Sequence, residues 1–531
     1  MIRLTRHFAC PMVALIWVIL VTAPAPAGEG GRISRLVIGT TMGVRGIDID
    51  DYYFGILRAM LTHKGLVRLN DENTVEGDLA ESWSTEDFRT WTFRLKQGMV
   101  WHDGSPVLAD DVAFSLNYLR EKLPEFRTHL SLLDSAHALD AHTVVIRLKE
   151  PSPRFLYTLL VLRVIPSHVF KEIADPRRFN QTQAATGCGP YAFESHDPAS
   201  GTLVFRAFPQ YYRGIPHIDQ IVFRLFRNPD TLYLALRKGE IDLPYFYAAG
   251  TPPIQVPHLK RDSSVRIHLL ENTGVPHALF FNTHNRFLES AQFRRALSLA
   301  IDYREILDLI APGYGYLPNS GFVPRACPEF VDTPPLVHAP DQARQILDRM
   351  EVKDTNADGV REKDGNPVRL DLVLRMDIPE HFRLAALVKE YFLAVGIELV
   401  LRPVDMTLFR TISDQDRSYA ILLSRTTPWG MIMGAGCGSE YLDSRNLGWT
   451  RTDDPGFFAI VDRMRGAVDT VTYQAAAADF QLWVSRELPV IPLYWDRLVQ
   501  PCSARFEGWR NSPMYGVLWE ETWFSLRKTE P

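Results

Sequence analysis

Leu79-Ala80-Glu81-Ser82-Trp83, Trp91-Thr92-Phe93-Arg94-Leu95-Lys96-Gln97-Gly98, His102-Asp103-Gly104-Ser105-Pro106 and Asp110-Asp111-Val112-Ala113-Phe114-Ser115-Leu116 follow one another within residues 79–116. Trp91, Phe93 and Leu95 alternate with Thr92, Arg94 and Lys96, the period of two expected of a strand with one buried face. Gln97-Gly98 ends that strand. A short apolar piece, Met99-Val100-Trp101, then runs into Asp-Gly and Ser-Pro steps that favour a turn. A helix is expected next, with Val112, Leu116 and Leu119 beside Phe114 and Tyr118 as its apolar positions and Asp110 and Asp111 at the positive end of its dipole.

Outward from this stretch, strands and helices alternate without a repeated unit, which predicts mixed α/β structure in several lobes. A β-branched run at Leu36-Val37-Ile38 opens the fold, and residues 52–61 read as a helix. Val144-Val145-Ile146-Arg147-Leu148 is strand-like and stops before Pro151. Gly187-Cys188-Gly189-Pro190-Tyr191 makes a sharp break, after which Leu203-Val204-Phe205 and Ile221-Val222-Phe223 are strand-like and residues 230–237 form a helix ending at Gly239.

The blocks LAESW, WTFRLKQG, HDGSP and DDVAFSL resemble the signature of the family 5 extracellular solute-binding proteins, the peptide- and nickel-binding receptors of ABC importers. Further blocks at TGCGPY, LALRKGEIDL, Phe280-Phe281-Asn282-Thr283, Phe293-Arg294-Arg295-Ala296-Leu297, Pro318-Asn319-Ser320-Gly321-Phe322-Val323-Pro324 and Leu488-Pro489-Val490-Ile491-Pro492-Leu493-Tyr494 spread the resemblance along the chain. It departs from the family at Leu108, where a Thr often caps the helix, and at Cys188, where relatives usually have Thr. The resemblance implies an α/β, two-lobe periplasmic-binding-protein fold of type II with an extra subdomain and a two-segment hinge. On that template residues 28–70, 188–276 and 497–531 make lobe I, 71–187 the extra subdomain and 277–496 lobe II, and the chain crosses between lobes near 275–283 and 488–496.

The 531 residues, 46% hydrophobic and 23% charged, are ordinary globular composition, and a formal net charge of -5 gives no broad basic surface for nucleic acid. Arg3, Arg6 and His7 precede an apolar run over residues 8–21, and Ala25-Pro26-Ala27 stands before Gly28, so residues 1–27 read as a signal peptide. The run is shorter than the roughly 20 residues of a bilayer-spanning helix. Export to the periplasm follows. Cys10 would leave with the signal, and Cys188, Cys327, Cys437 and Cys502 would remain as structural thiols whose pairing stays open.

No Gly-x-Ser-x-Gly elbow, His-Glu-x-x-His helix or Gly-x-x-x-x-Gly-Lys-Ser/Thr loop is present, which argues against the commonest hydrolase, zinc protease and ATPase chemistries. Gly434-Ala435-Gly436-Cys437-Gly438 reads as a cleft loop rather than a phosphate loop. Asp354-Thr355-Asn356-Ala357-Asp358-Gly359 begins like a calcium loop with Glu362 near by, but its twelfth position is Gly365, so a solvated polar turn is the expectation. Met431, Met433 and Cys437 read as gap-filling apolar residues rather than a copper site. No cofactor or resident metal is expected.

Ligand contact is expected first at Arg425 and Trp429 in Ser424-Arg425-Thr426-Thr427-Pro428-Trp429-Gly430, where a fixed planar cation and a large flat ring suit a carboxylate-bearing or chelated solute. This stretch is similar to the RTWG segment of the nickel-binding branch, yet no His follows before Cys437; the Asp that peptide-binding relatives use for an amino terminus is also missing between Ser424 and Gly438. Arg163, after an apolar run, needs either an anionic ligand or a structural salt bridge. Phe281 and Asn282 at one crossing and Tyr494 and Trp495 at the other are the remaining cleft candidates. The expected function is a monomeric periplasmic receptor that captures a peptide or peptide-like solute for an ABC permease in the inner membrane, without catalysis. A nickel- or metal-chelate receptor is the alternative, and an exported hydrolase the rival of another class.

Overall fold

The computed structural model describes residues 32–70, 74–246, 249–446, 448–512 and 514–530. The expected signal peptide and Cys10 lie outside the described residues. No helix among those residues is long and apolar enough to cross a membrane.

Three sheets organise the chain. The first is five-stranded, with Leu36–Thr40 between Gln220–Leu225 and Leu243–Pro244 in parallel, and with Thr202–Ala207 and Tyr191–Asp197 added antiparallel. Leu36, Ile38, Ile221 and Phe223 bury the face that packs on Val517, Leu518 and Trp523, so the end of the chain completes this core. Trp523 meets Tyr191 edge-on at 5.7 Å between centroids.

The second sheet is antiparallel and four-stranded: Ala80–Ser84, Thr90–Leu95, Thr143–Leu148 and Leu133–Asp140. Trp91, Phe93 and Leu95 are buried as their alternation predicts, in register with Ile146 and Val144 for the first two. Helix Ala109–Lys122 covers this sheet with Val112, Leu116 and Leu119 inward. Leu108 has no capping side chain; the Ala109 N–H goes to the Ala141 carbonyl at 2.9 Å, the Asp111 N–H to the Leu108 carbonyl at 3.0 Å, and the Asp111 carboxylate reaches back to the start of the helix. Its Oδ2 accepts the Leu108 N–H at 3.0 Å and the Trp101 indole N–H at 3.2 Å, while Oδ1 accepts the Ser167 N–H and hydroxyl at 2.9 and 2.7 Å.

The third sheet runs Val265–Glu271, Val490–Ser503, His277–Phe281, Ile421–Ser424, Arg369–Arg375, Glu398–Val404, with Gly315–Tyr316 also on Val490–Ser503. Val490–Ser503 is shared: Val490 to Tyr494 pair with His277–Phe281, and Arg497 to Ser503 with Val265–Glu271. A register shift at His277/Ala278 marks the change of partner. Strand pairing therefore puts residues 272–276 and 494–497 side by side, where the chain passes from the core built on the five-stranded sheet, the first half, which holds Leu270 and Leu498, to the cores of the second half, which hold Phe280, Phe281 and Val490. All four described cysteines are buried thiols without a disulfide.

Candidate functional site

The helix Tyr52–Leu57 is continued by a wider π-turn, Arg58–Thr62, and the backbone around it is crowded. Gly189 donates to the Thr62 carbonyl at 2.8 Å, and a Cβ at Gly187 or Gly189 would overlap the carbonyls of Thr62 or Leu61. The Gly-Cys-Gly break is therefore required by close backbone approach. His102 locks it: Nε2 donates to the Gly189 carbonyl at 3.1 Å and Nδ1 accepts the Gly187 N–H at 3.2 Å. Burial pushes His102 down to about 4, so the imidazole is neutral in this role.

Just past this turn a cavity of about 60 Å³ opens where the first half, the inserted four-stranded unit and the second half meet. Its polar wall is ionic. Glu520, buried, accepts from Lys64 and the Tyr211 hydroxyl and from Arg213 at 2.7 Å, with Arg68 at 3.7 Å. Glu521 holds Arg68 and Arg213 at 3.0 and 2.9 Å, and Asp78 lies 3.6 Å from Lys64 and accepts from the Tyr212 hydroxyl. Burial alone would raise the Glu520 carboxyl, but Lys64, Arg213 and Arg68 hold it well below the usual carboxylate range.

The opposite wall is made by Arg163, Trp429 and Tyr515. Thr427 caps the short helix Pro428–Ile432 by accepting the Gly430 N–H at 3.2 Å, which presents Trp429 edge-on to Tyr515 at 5.8 Å. Arg163 Nη1 donates to the carbonyls of Leu160 at 2.6 Å and Leu162 at 3.3 Å, and Nη2 to the Tyr515 hydroxyl at 3.4 Å. Neither carbonyl nor hydroxyl neutralises it, so the structural salt bridge is not formed among the described residues.

Arg425, expected beside Trp429, lies instead in a second cavity of about 80 Å³ against the connecting strands, with Tyr494, Asp496 and His277. Asn272 donates to Asp496 at 2.7 Å, and burial pushes Asp496 up to about 6. Burial, then the Arg425 charge, pushes His277 down to about 3, and His381 packs 5.2 Å from it. Phe281 is fully enclosed in the second half's core, and Trp495 packs in that half's other core cluster. Asn282 donates to the Tyr419 carbonyl at 2.8 Å and closes the end of its strand. These three line neither cavity.

The inserted unit and the second half are also clamped directly. Arg154 donates from Nε to the Gly434 carbonyl and from Nη2 to the Ile432 carbonyl, both at 3.3 Å, and sits between the rings of Tyr157 and Tyr473 at 4.1 and 4.0 Å. Beyond it a polar groove of about 570 Å³ is lined by Glu150, Glu440, Arg445 and Arg465. The Gly434–Gly438 stretch thus works as a contact loop. Met431 and Cys437 are buried in the second half's core.

Sequence reasoning missed Lys64, Arg68, Asp78, Arg154, Tyr515 and Glu520. Lys64 and Glu520 are 456 positions apart, so no local spacing connects them. The signal available was Glu520-Glu521 set among Trp519 and Trp523, a charge pair in an apolar segment.

A sequence profile of the bacterial extracellular solute-binding proteins, family 5 (middle region), matches residues 74–437. The chain is 28% identical over 348 residues to a candidate ABC transporter peptide-binding protein of Brucella ovis, the match covering 64% of this chain and 62% of that protein. It is 23% identical over 352 residues to the oligopeptide-binding protein AppA of Bacillus subtilis, covering 64% and 63%. In three dimensions it is similar to that AppA, solved with a nonapeptide, at TM-score 0.78 and 18% identity over 94% of this chain and 100% of the other. It is also similar to NikA of Brucella suis, solved with Fe(III)-EDTA, at TM-score 0.81 and 19% identity over 93% and 100%. These likenesses give the fold: a two-lobe α/β binding-protein architecture.

Proposed function

The chain belongs to the bacterial extracellular solute-binding proteins, family 5, and from that membership we propose that it is the periplasmic substrate-binding component of an ABC importer. It captures a small solute, a peptide or peptide-like compound, and delivers it to a permease in the inner membrane. It works as a monomer and alters no covalent bond. The two adjacent connections at residues 272–276 and 494–497 act as the hinge between lobe I (28–70, 188–276, 497–531) and lobe II (277–496), with 71–187 as the subdomain that lobe II meets on closure.

The observation that carries this reading is the cavity walled by Arg163 and Trp429, residues of different units. Of the five N–H donors of a guanidinium, Arg163 spends two on Nη1 and one on Nη2, which leaves the Nε and second Nη2 donors, the edge suited to a carboxylate. Trp429 and Tyr515 supply the apolar walls. Arg425 and Tyr494 act at the hinge cavity, and Phe281, Asn282 and Trp495 hold lobe II together behind it. Export by residues 1–27 places the receptor in the periplasm.

A second reading, a metal-chelate receptor, is favoured by one feature. About 60 Å³ admits only a few waters and is far below the ~300 Å³ of ordinary ligand sites, so without opening it fits a compact anion better than an extended peptide. Native mass spectrometry of protein taken from its own periplasm separates the two. A ladder of peptide masses supports the first, a single metal complex the second, and turnover of a peptide panel would replace both with a hydrolase.

A further inference from the structure

Outside the lining of that cavity, Asp354, Asp358 and Glu362 each bring one carboxylate oxygen to within 4.8 Å of the others. The nearby arginines are engaged elsewhere, Arg361 with Asp348 at 2.6 Å and Arg369 with Glu398, and among the described residues no lysine or arginine pairs with any of the three carboxylates. Converging like charges without a counter-ion repel one another.

Glu362 adds an observation of a different kind. It is only 7% exposed, and its Oε2 accepts the Thr355 N–H and hydroxyl at 2.8 and 3.0 Å, which aims the carboxylate back across the loop. Its Oε1 is buried with no hydrogen-bond partner. A buried carboxylate oxygen left unpaired is costly and calls for a cation.

We propose that the Asp354–Glu362 loop is a calcium site. Asp354, Asn356 and Asp358 occupy the first, third and fifth positions of an oxygen-ligand loop, Val360 supplies a backbone carbonyl at the seventh, and Gly359, at φ +88°, allows the turn at the sixth. Gly365 at the twelfth position supplies no side chain, and the free oxygen of Glu362, at the ninth, takes over the closing contact. An all-oxygen set of three carboxylates and neutral groups suits a hard divalent cation and excludes soft metals. The ion ties the bridge between Lys353 and Glu362 to the hairpin formed with Asn366–Pro367, next to the edge of lobe II's sheet. The site is independent of the solute the protein carries.

The test is calorimetric titration of the chelator-stripped protein with calcium chloride, repeated with magnesium chloride, together with thermal unfolding in each salt. One calcium per chain is expected, with a dissociation constant of about 10⁻⁵ to 10⁻³ M and a raised unfolding midpoint, and magnesium binding at least about tenfold more weakly. Glu362→Gln keeps an acceptor for Thr355 and should weaken calcium at least about tenfold; Asp358→Asn, on an exposed residue whose amide oxygen can still accept the Val360 N–H, should do the same. No uptake and no midpoint change at about 5 mM calcium, equal uptake of magnesium, or wild-type affinity in Asp358→Asn would overturn the assignment.

Discussion

Replacing Arg163 with Ala tests the ligand cavity most sharply, because the structure specifies what the side chain has left to give. Three of its five donors are used within the protein, on Leu160, Leu162 and Tyr515, and two remain on one edge. Two charge-assisted bonds to a carboxylate contribute about 1.5–3 kcal/mol each. Arg163 is half-buried and part of that is lost to solvent, so a net loss of about 3 kcal/mol is expected, or roughly a hundredfold in affinity. Arg163→Lys keeps the charge without the fork and should lose about tenfold. The assay is calorimetric titration of the solute released from the purified protein back onto each variant. Thermal unfolding runs in parallel, because the Nη1 bonds to backbone carbonyls also hold the 155–163 segment. Affinity within threefold of wild type in Arg163→Ala, with folding intact, would refute the assigned role.

Glu520→Gln leaves Lys64 buried with only Asp78 beside it, while Arg68 and Arg213 keep Glu521; a loss of about 3 kcal/mol is expected in denaturant unfolding of lobe I, followed by the buried tryptophans 519 and 523. Because Glu520 is depressed in the folded state, its stabilisation is present above the unfolded value near 4.3 and is lost as pH falls toward the folded value, so the gap between wild type and Glu520→Gln should narrow below about pH 4; a gap that widens in acid contradicts the assignment. Gly187→Ala drives a Cβ into the Thr62 carbonyl and should cost at least about 2 kcal/mol or abolish soluble expression, whereas Gly98→Ala, facing open space, should lose less despite its φ of +72°. Arg154→Ala removes two carbonyl contacts and two ring contacts, about 3 kcal/mol in favour of the separated lobes, and should weaken solute binding at least tenfold without touching the cavity; unchanged affinity means the clamp plays no part in closure.

Local signals were legible where one face of an element is buried by near neighbours. The alternation of Trp91, Phe93 and Leu95 named its strand and its buried face, and Gly239 ended its helix at a φ of +70°. The long strand Val490–Ser503 was not read as a strand, its first residues entering only as a block of family resemblance, because Pro492 and Pro501 interrupt a pattern that pairing with two different partners overrides. Trp429, singled out for its large flat ring, lines the cavity with Arg163. Arg425, four residues earlier, was paired with it by proximity, but the helix begun at Pro428 turns the chain between them, and the two side chains line different cavities. Phe281, Asn282 and Trp495 were placed at the cleft by nearness to the crossings, whereas their burial in or beside the lobe II cores depends on register that the sequence does not display. The ionic wall joins residues near 64–78 to residues near 520, and only the folded chain brings these together.

Small-angle X-ray scattering of the protein stripped of co-purified solute, and again after saturating it with that solute, measures lobe closure directly. A receptor that shuts over its cargo should show a smaller radius of gyration and maximum dimension when loaded. Superimposable profiles in the two states, with the solute demonstrably bound, would contradict it.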